Sequence, residues 1–141
     1  MTIKEVKRIS KKIKDFEKEG WYKADIEHYG KARPYKKKNY KFVSENSRGD
    51  IIGVLDFIIE ANVGYIDNLL VGENYRGQGV GKALVLFVED FAKEQGCTKI
   101  WLDTEEGWGA VDFYKKIGYK ITGTHEEHHL GNREYIFTKF L

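Results

Sequence analysis

The feature that most constrains the fold is a glycine-rich loop set between two apolar segments. Residues 66–71 form a short apolar run, and YRGQGVGKA follows at residues 75–83. Apolar residues then recur at helical spacing over 80–91, and a second short apolar run, KIWLD, occupies residues 99–103. A strand, a glycine loop, a helix and a strand in this order predict one βαβ unit.

The remaining segments predict further strands around that unit and one more helix. The predicted elements are strands at 40–45, 51–60 and 64–71, a helix at 110–117 and two strands within 119–141. Turns are predicted at 47–50 and 61–62 and around Gly131 and Asn132, and Gly118 is the expected C-terminal cap of the second helix. We therefore expect an α/β fold with a mixed central β-sheet flanked by helices.

The N-terminal segment predicts a lysine-rich amphipathic helix that ends near Gly20. Its apolar stripe consists of Ile3, Val6, Ile9, Ile13 and Phe16. Residues 21–40 predict a loop or a short helix. The aromatic residues of this stretch are candidates for a cleft wall: Trp21, Tyr22, Tyr29, Tyr35 and Tyr40.

Length and charge narrow the classes of protein. A chain of 141 residues fits a single domain over 1–141. The net charge of +2 argues against nucleic acid or an anionic membrane as the main partner. One cysteine, Cys97, suits a reducing compartment. Neither a signal peptide nor a run of 18 apolar residues is evident, so we expect a cytoplasmic protein.

The glycine loop fits one phosphate-binding pattern better than two others. Arg76 and Ala83 occupy positions where the Walker A pattern needs glycine and Ser or Thr, and Lys82 breaks the dinucleotide fingerprint G-x-G-x-x-G. The pattern that remains is R-x-x-G-x-G, with Gly79 and Gly81. Backbone N–H groups at a helix N-terminus bind a diphosphate well. The alternative is a flexible turn with no ligand.

Two motifs together resemble the GNAT superfamily of acetyl-CoA-dependent N-acetyltransferases. The first is R-x-x-G-x-G between a strand and a helix, and the second is AVDFYKKIGY at residues 110–119, which is similar to the family's A-x-x-x-Y-x-x-x-G-F/Y. The resemblance covers residues 51–141. It implies a GNAT-type fold and acetyl-CoA as the cosubstrate. A non-catalytic acyl-CoA-binding module is the alternative.

The resemblance also implies which residues hold the cosubstrate. In the family, strand backbone before the loop pairs with the pantetheine arm, loop amides hold the pyrophosphate, and a basic residue lies near the nucleotide. In this sequence those positions are Leu69, Val71, Arg76, Gly77, Gln78, Gly79, Val80, Gly81, Lys82, Ala83 and Lys116. The family often has an asparagine where this chain has Gly107, which puts one pantetheine contact in doubt. Trp108 is a candidate to cover the thiol end instead.

The same resemblance implies the catalytic groups. The N–H of Val71 would stabilise the oxyanion, and Tyr114 would give a proton to the leaving thiolate, since a tyrosine pKa of about 10 is close to that of a thiol. Asp67 is the candidate base for the amine, with Glu105 and Glu106 in reserve. The alternatives are that Tyr114 is an ordinary core aromatic and that Asp67 is a solvated strand residue.

Two further motifs compete with this interpretation. HEEHH at 125–129 matches the metalloprotease pattern H-E-x-x-H, but that pattern needs a helix. On a strand, His125 and His129 would lie about 13 Å apart, too far for one zinc ion, so we expect no metal. PYKKKNYK at 34–41 suggests nucleic-acid binding, which the balanced charge disfavours.

The acceptor is the least defined partner. An amine-bearing small molecule or peptide fits the predicted chemistry, and a cationic one would suit the carboxylates. A homodimer is possible, because many members of the family pair through edge strands or the C-terminal hairpin.

Overall fold

The computed structural model describes residues 1–32 and 36–141. The chain forms two compact units, Met1–Tyr35 and Lys36–Leu141. The first contains one α-helix, and the second contains the sheet and two more helices. That both units act as one domain stays a prediction.

The helix of the first unit, α1 (Lys11–Tyr29), lies further along the chain than predicted. Its N-terminus is set by Ser10, whose hydroxyl accepts a hydrogen bond from the N–H of Ile13 at 3.3 Å. The helix continues through Gly20 and ends at Gly30, which adopts the left-handed conformation. The predicted start near Ile3 and end near Gly20 are therefore wrong. An interior glycine costs only about 1 kcal/mol relative to alanine, which is too little to end a helix.

Residues 21–40 do not form the separate loop or short helix that was predicted, and both bounds of that segment are wrong. Residues 21–29 belong to α1, and the first strand already begins at Lys38. Tyr40 packs edge-on against Phe91, with ring centroids 4.9 Å apart, so it joins the core rather than a cleft wall. Trp21 and Tyr22 are exposed on α1. Pro34 and Tyr35 lie outside the described residues.

A six-stranded mixed sheet with three helices confirms the predicted fold class. The strand order is β1-β2-β3-β4-β6-β5; β3 and β4 pair in parallel, and the other neighbours are antiparallel. The elements are β1 (Lys38–Glu45), β2 (Ile51–Glu60), β3 (Val63–Val71), α2 (Val80–Glu94), β4 (Lys99–Glu105), α3 (Gly109–Lys116), β5 (Lys120–His125) and β6 (Glu134–Phe140). Within 1–32 and 36–141, no helix has the length and apolar character needed to cross a bilayer.

Helix α2 covers one face of the sheet and closes the core. Alternate residues of β2, such as Leu55 and Phe57, are fully buried and meet the apolar face of α2, including Val85 and Val88. The approach is close at Gly53, where a Cβ atom would lie 2.9 Å from side-chain carbons of Val80 and Leu84. A glycine on β2 therefore lets the amino end of α2 lie directly on the sheet.

The parallel strands β3 and β4 separate along their length. They pair only over residues 63–65 and 99–101, so their carboxyl ends have an opening between them. Strand β3 also contains a β-bulge, because Asp56 pairs with Asn68 while Phe57 pairs with Ile66. Asp67 is the extra residue of this bulge.

The connection between β5 and β6 is longer than the predicted turn at Gly131 and Asn132. Strand β5 ends at His125, β6 begins at Glu134, and a 3₁₀ turn occupies His129–Gly131. Glu127 and Leu130 both have positive φ, so the chain doubles back within the connection. The expectation that His129 continues the strand is therefore wrong.

Candidate active site

The glycine loop places the amino end of α2 beside the end of β3. Gly77 and Gly79 have φ values of 72° and 86°, a conformation that glycine adopts without steric cost. Gly79 caps α2, and its carbonyl accepts the first helical hydrogen bond from the N–H of Ala83 at 2.9 Å. The N–H groups before Ala83 have no acceptor within the helix and carry the positive end of its dipole.

This geometry corrects one predicted contact. The N–H of Ala83 was expected to hold pyrophosphate, but it is already bonded to Gly79. The first-turn donors that remain are those of Val80, Gly81 and Lys82.

Two side chains hold the loop in place. The Nε of Arg76 donates to the carbonyl oxygen of Val71 at 3.3 Å, which joins the loop to the end of β3. The amide of Gln78 donates to the carbonyl of Asn74 at 2.8 Å. Gln78 therefore stabilises the loop and is not part of the cavity lining.

A cavity of about 1050 Å³ lies in front of the loop, between the end of β3 and helix α3. Most of the residues predicted to bind the cosubstrate line it: Leu69, Val71, Arg76, Gly77, Gly79, Val80, Gly81, Lys82 and Lys116. Trp108, the candidate to cover the thiol end, also lines it, as do side chains that were not predicted near the cosubstrate: Leu70, Tyr75, Ala110, Phe113 and Ile117. Asp67 and Tyr114 are absent from the lining.

The charge of the cavity suits an anionic ligand. Three cationic side chains, those of Arg76, Lys82 and Lys116, face it together with the positive end of α2. Gly77 and Gly79 have no atom within 4 Å of the position of a Cβ, so a ligand has direct access to the backbone. These features fit the phosphates of coenzyme A.

Sequence reasoning did not identify the apolar wall that α3 contributes. Ala110, Phe113 and Ile117 are spaced by three and four residues, so they lie on one face of the helix and its end. This spacing is the sequence signal from which the apolar wall could be predicted. Trp108 is exposed at the amino end of α3 and does line the cavity.

The register of β3 directs backbone groups toward the opening. Gly72 donates its N–H to the carbonyl of Ile52 at 2.9 Å, so the backbone of Gly72 faces β2. Because successive residues of an antiparallel strand alternate their hydrogen-bonding direction, Val71 and Leu69 face the opposite way, toward the gap beside β4.

Tyr114 lies in the core on the inner face of α3. Its side chain is 4% exposed and packs against Phe113, Tyr119 and Phe137, with ring centroids 5.0, 5.4 and 6.0 Å away. Burial raises the pKa of Tyr114 well above its ordinary value. The hydroxyl is therefore protonated at neutral pH.

The face of the sheet opposite α2 carries acidic groups beside the gap. The Tyr65 hydroxyl donates to Oδ1 of Asp103 at 2.8 Å, and its ring lies 4.3 Å from that of Trp101. Burial, then the bond to Asp103, then the charges of Asp103 and Asp67 raise the pKa of Tyr65. Asp67 itself is exposed at the bulge. Sequence reasoning missed Asp103, although the two-residue period of β4 places it on one face with Trp101.

Glu105 and Glu106, the alternative candidates for the base, make structural hydrogen bonds. Glu105 accepts a hydrogen bond from the amide of Asn132 at 3.0 Å. Glu106 accepts one from the Tyr135 hydroxyl at 2.6 Å and lies 3.5 Å from the guanidinium of Arg133. Both therefore stabilise the connection between β5 and β6.

Comparison with known families gives a match over most of the chain. The sequence model of the Acetyltransferase (GNAT) family matches residues 6–119.

Curated relatives match over shorter segments. Glucosamine 6-phosphate N-acetyltransferase of Trypanosoma brucei brucei is 33% identical over 79 residues, which cover 51% of this chain and 52% of that protein. Streptothricin acetyltransferase of Streptomyces lavendulae is 30% identical over 91 residues, covering 58% and 45%. The matched segments thus span about half the length of these relatives.

Solved structures share the fold over longer stretches. An acetyltransferase from Bacillus cereus ATCC 14579 superposes with a TM-score of 0.75 at 27% identity, covering 98% of both chains. A putative streptothricin acetyltransferase from Bacillus anthracis str. Ames, solved in complex with acetyl coenzyme A, gives a TM-score of 0.68 at 24% identity, covering 77% of this chain and 64% of that chain.

Proposed function

Because this chain belongs to the acetyltransferase (GNAT) family, we propose that it transfers an acetyl group from acetyl-CoA to a primary amine. The observation that carries the proposal is the cavity at the amino end of α2, with its three cationic side chains and open glycine backbone. These features match the charge and size of a nucleotide-linked pantetheine.

The glycine loop and the end of β3 bind different parts of the cosubstrate. The first-turn N–H groups of Val80, Gly81 and Lys82 bind the pyrophosphate, and Arg76 and Lys116 add positive charge. Leu69 and Val71 offer backbone groups to the pantetheine amides along the gap.

In the reaction one bond forms, one bond breaks, one proton leaves the amine and one proton is added to the sulfur. Acetyl-CoA supplies a thioester, in which the acetyl group is activated. The amine nitrogen forms a bond to the acetyl carbon, the carbon–sulfur bond breaks, the nitrogen loses a proton and the sulfur gains one. The N–H of Val71 donates a hydrogen bond to the acetyl oxygen as negative charge develops there.

Tyr114 serves the leaving sulfur as a hydrogen-bond donor. Its raised pKa keeps the proton on the oxygen, so the hydroxyl stabilises the developing thiolate by a hydrogen bond, and the sulfur takes its proton from solvent. Tyr114 does not itself line the cavity, so this role requires the cavity wall at the lining residue Phe113 to move when the cosubstrate binds.

The base belongs to the acidic face beside the gap. We retain Asp67, which the bulge of β3 leaves exposed. Asp103 is the second candidate, because it is half-buried and bonded to Tyr65 at 2.8 Å. Either carboxylate acts directly or through a water molecule that accepts the amine proton.

The acceptor we propose is a cationic amine, either a small molecule or a peptide. Carboxylates at Asp67, Asp103 and Glu105 attract an ammonium group before it loses its proton. The names of two relatives support amine acceptors on small molecules, since one acts on glucosamine 6-phosphate and the other on streptothricin.

Release of CoA by the purified chain tests the function. The chain is incubated with acetyl-CoA and a panel of polyamines, amino sugars, aminoglycosides, amino acids and peptide N-termini, while calorimetry measures acetyl-CoA binding. Turnover with at least one amine supports the proposal. Tight binding with background CoA release across the panel favours a non-catalytic acyl-CoA-binding module instead, and no binding refutes both.

Two wider expectations accompany this proposal. The chain acts in the cytoplasm, and it pairs into a homodimer through edge strands or the C-terminal hairpin. Cell fractionation tests the first, and light scattering of the purified protein tests the second.

A further inference from the structure

Three potential metal ligands converge at the start of β6, outside the cavity lining. They are His128 and His129 from the connection after β5, and Glu134 from β6. One ligand atom from each residue lies within 4.8 Å of the others. None of the three is among the residues that line the cavity at the glycine loop.

The carboxylate of Glu134 supplies an independent sign of a ligand. Its side chain is 10% exposed, and its Oε2 has no hydrogen-bond partner within the described ranges 1–32 and 36–141. Nε2 of His128 lies 3.6 Å from this oxygen, beyond hydrogen-bond distance. A buried carboxylate oxygen without a donor costs free energy, and a bound cation removes that cost.

The fold of the connection brings the imidazoles to this carboxylate. Positive φ values at Glu127 and Leu130 turn the chain back after β5. The N–H of His128 donates to the Asn132 carbonyl at 2.7 Å, and the N–H of Asn132 donates to the His129 carbonyl at 2.8 Å. Nδ1 of His129 consequently lies 3.2 Å from Oε1 of Glu134.

We propose that His128, His129 and Glu134 bind one divalent transition-metal cation, for which Zn²⁺ is the best-matched probe. Two imidazole nitrogens and one carboxylate oxygen suit zinc and its neighbours rather than Mg²⁺ or Ca²⁺. Ligand atoms around tetrahedral zinc lie about 3.3 Å apart, given bonds of about 2.0 Å. Small rotations of the exposed side chains of His128 and His129 would shorten the distances between the ligand atoms, now within 4.8 Å, to this value.

The three ligands lie outside the lining of the cavity at the glycine loop, and Glu134 pairs across the sheet with Glu105. This site replaces the sequence-based expectation of no metal, which assumed that His125 and His129 share one strand. Three protein ligands leave a fourth position for water or another ligand.

Metal titration of the full chain tests the site without an activity assay. Untagged protein is stripped with a chelator and titrated with ZnCl₂ by calorimetry, and with CoCl₂ by visible absorption. We expect one equivalent of Zn²⁺ to bind at low micromolar concentration or tighter, and Co²⁺ to give the absorption of a four-coordinate site. His128→Asn and His129→Asn should each weaken Zn²⁺ binding by at least about tenfold.

The matched control is His28→Asn, which removes an imidazole from α1 and should leave the affinity unchanged. Both ligand histidines are exposed, so their variants should keep the wild-type circular dichroism spectrum. Absence of saturable one-equivalent binding, wild-type affinity in both ligand variants, or an equal loss in His28→Asn would each overturn the site.

Discussion

Gly79 combines a left-handed backbone with an unobstructed surface at the amino end of α2. Its φ is 86°, and no atom lies within 4 Å of the position of a Cβ. A side chain at this residue would therefore project into the space where the proposed pyrophosphate binds. The identity of this one residue decides whether the helix dipole is accessible.

Gly79→Glu should weaken acetyl-CoA binding by about 100-fold, which corresponds to about 2.7 kcal/mol. The added carboxylate repels the diphosphate and blocks the N–H groups of Gly81 and Lys82. Calorimetry measures the affinity. The control is Gly49→Glu, because Gly49 has φ of 84°, also has no atom within 4 Å, and lies in the turn between β1 and β2. Equal affinities in both variants would refute the assignment of the loop.

Tyr114→Phe should lower kcat by at least about 100-fold with little change in acetyl-CoA affinity. The ring stays packed against Tyr119 and Phe137, so the substitution removes the hydroxyl and leaves the core intact. Steady-state kinetics on an identified acceptor and calorimetry separate the two quantities. Tyr40→Phe serves as the control, since Tyr40 packs on α2 at Phe91. A parallel loss of affinity and kcat would indicate that the hydroxyl only binds.

At the scale of elements, a half-buried ion pair joins α2 to β6. Glu89 of α2 is 4% exposed, and Nζ of Lys139 donates to its two oxygens at 2.9 and 2.8 Å. The same Nζ donates to the carbonyl of Ile117 at 3.0 Å, at the end of α3. One ammonium group thus connects three elements.

Lys139→Met should lower the free energy of unfolding by about 3–5 kcal/mol, because it leaves the carboxylate of Glu89 without a cation in the core. Urea denaturation measures the loss. The double variant Glu89→Gln/Lys139→Met should lose less than the sum of the single losses. Lys93→Met breaks an exposed pair with Asp90 on α2 and should cost less than about 1 kcal/mol. Additive losses in the cycle would contradict the proposed coupling.

The elements that sequence could predict were those fixed by local pattern. The alternation of β2 and the helical spacing of α2 reflect burial on one face, so their positions were predicted within a residue or two. The bulge at Asp67 and the doubling back at Glu127 depend on pairing with distant strands, which local spacing does not record. The cap residues Ser10 and Gly30 set the bounds of α1. The apolar stripe indicated an earlier start and an earlier end.

The candidate site also has some features that local sequence predicts and others that it does not. The glycine loop was predictable because backbone conformation and helix dipole are local properties. The exposure of Phe113 to the cavity and the bond between Tyr65 and Asp103 were not, because each depends on how a helix or strand packs against its neighbour. The burial of Tyr114 agrees with the alternative that it is a core aromatic. The convergence of His128 and Glu134 likewise requires the three-dimensional path of the connection.

Within the unit Lys36–Leu141, helix α2 contributes both to the proposed ligand-binding cavity and to the core. Its amino end faces the cavity, its apolar face closes the core, and its carboxyl end leads to Cys97, whose N–H donates to the Ala92 carbonyl at 2.9 Å. A ligand held at one end of this helix should therefore resist any opening that exposes the other end. The single thiol, which is 6% exposed, reports that opening.

Saturating acetyl-CoA should slow the labelling of Cys97 by a disulfide reagent. Burial shields the sulfur and raises the pKa of Cys97, so the native thiol is a poor nucleophile and labelling requires opening. If opening releases the ligand, a concentration of 100 times Kd stabilises the closed state by about 2.7 kcal/mol and slows labelling about 100-fold. Absorbance of the released thiol measures the rate, with urea-unfolded protein as the fast reference. At the same acetyl-CoA concentration, Gly79→Glu should reduce the protection to about twofold, because it weakens binding about 100-fold while leaving Cys97 in place. Protection that stays near 100-fold in Gly79→Glu, or native labelling as fast as the unfolded reference, would mean that the loop and the thiol are not coupled through α2.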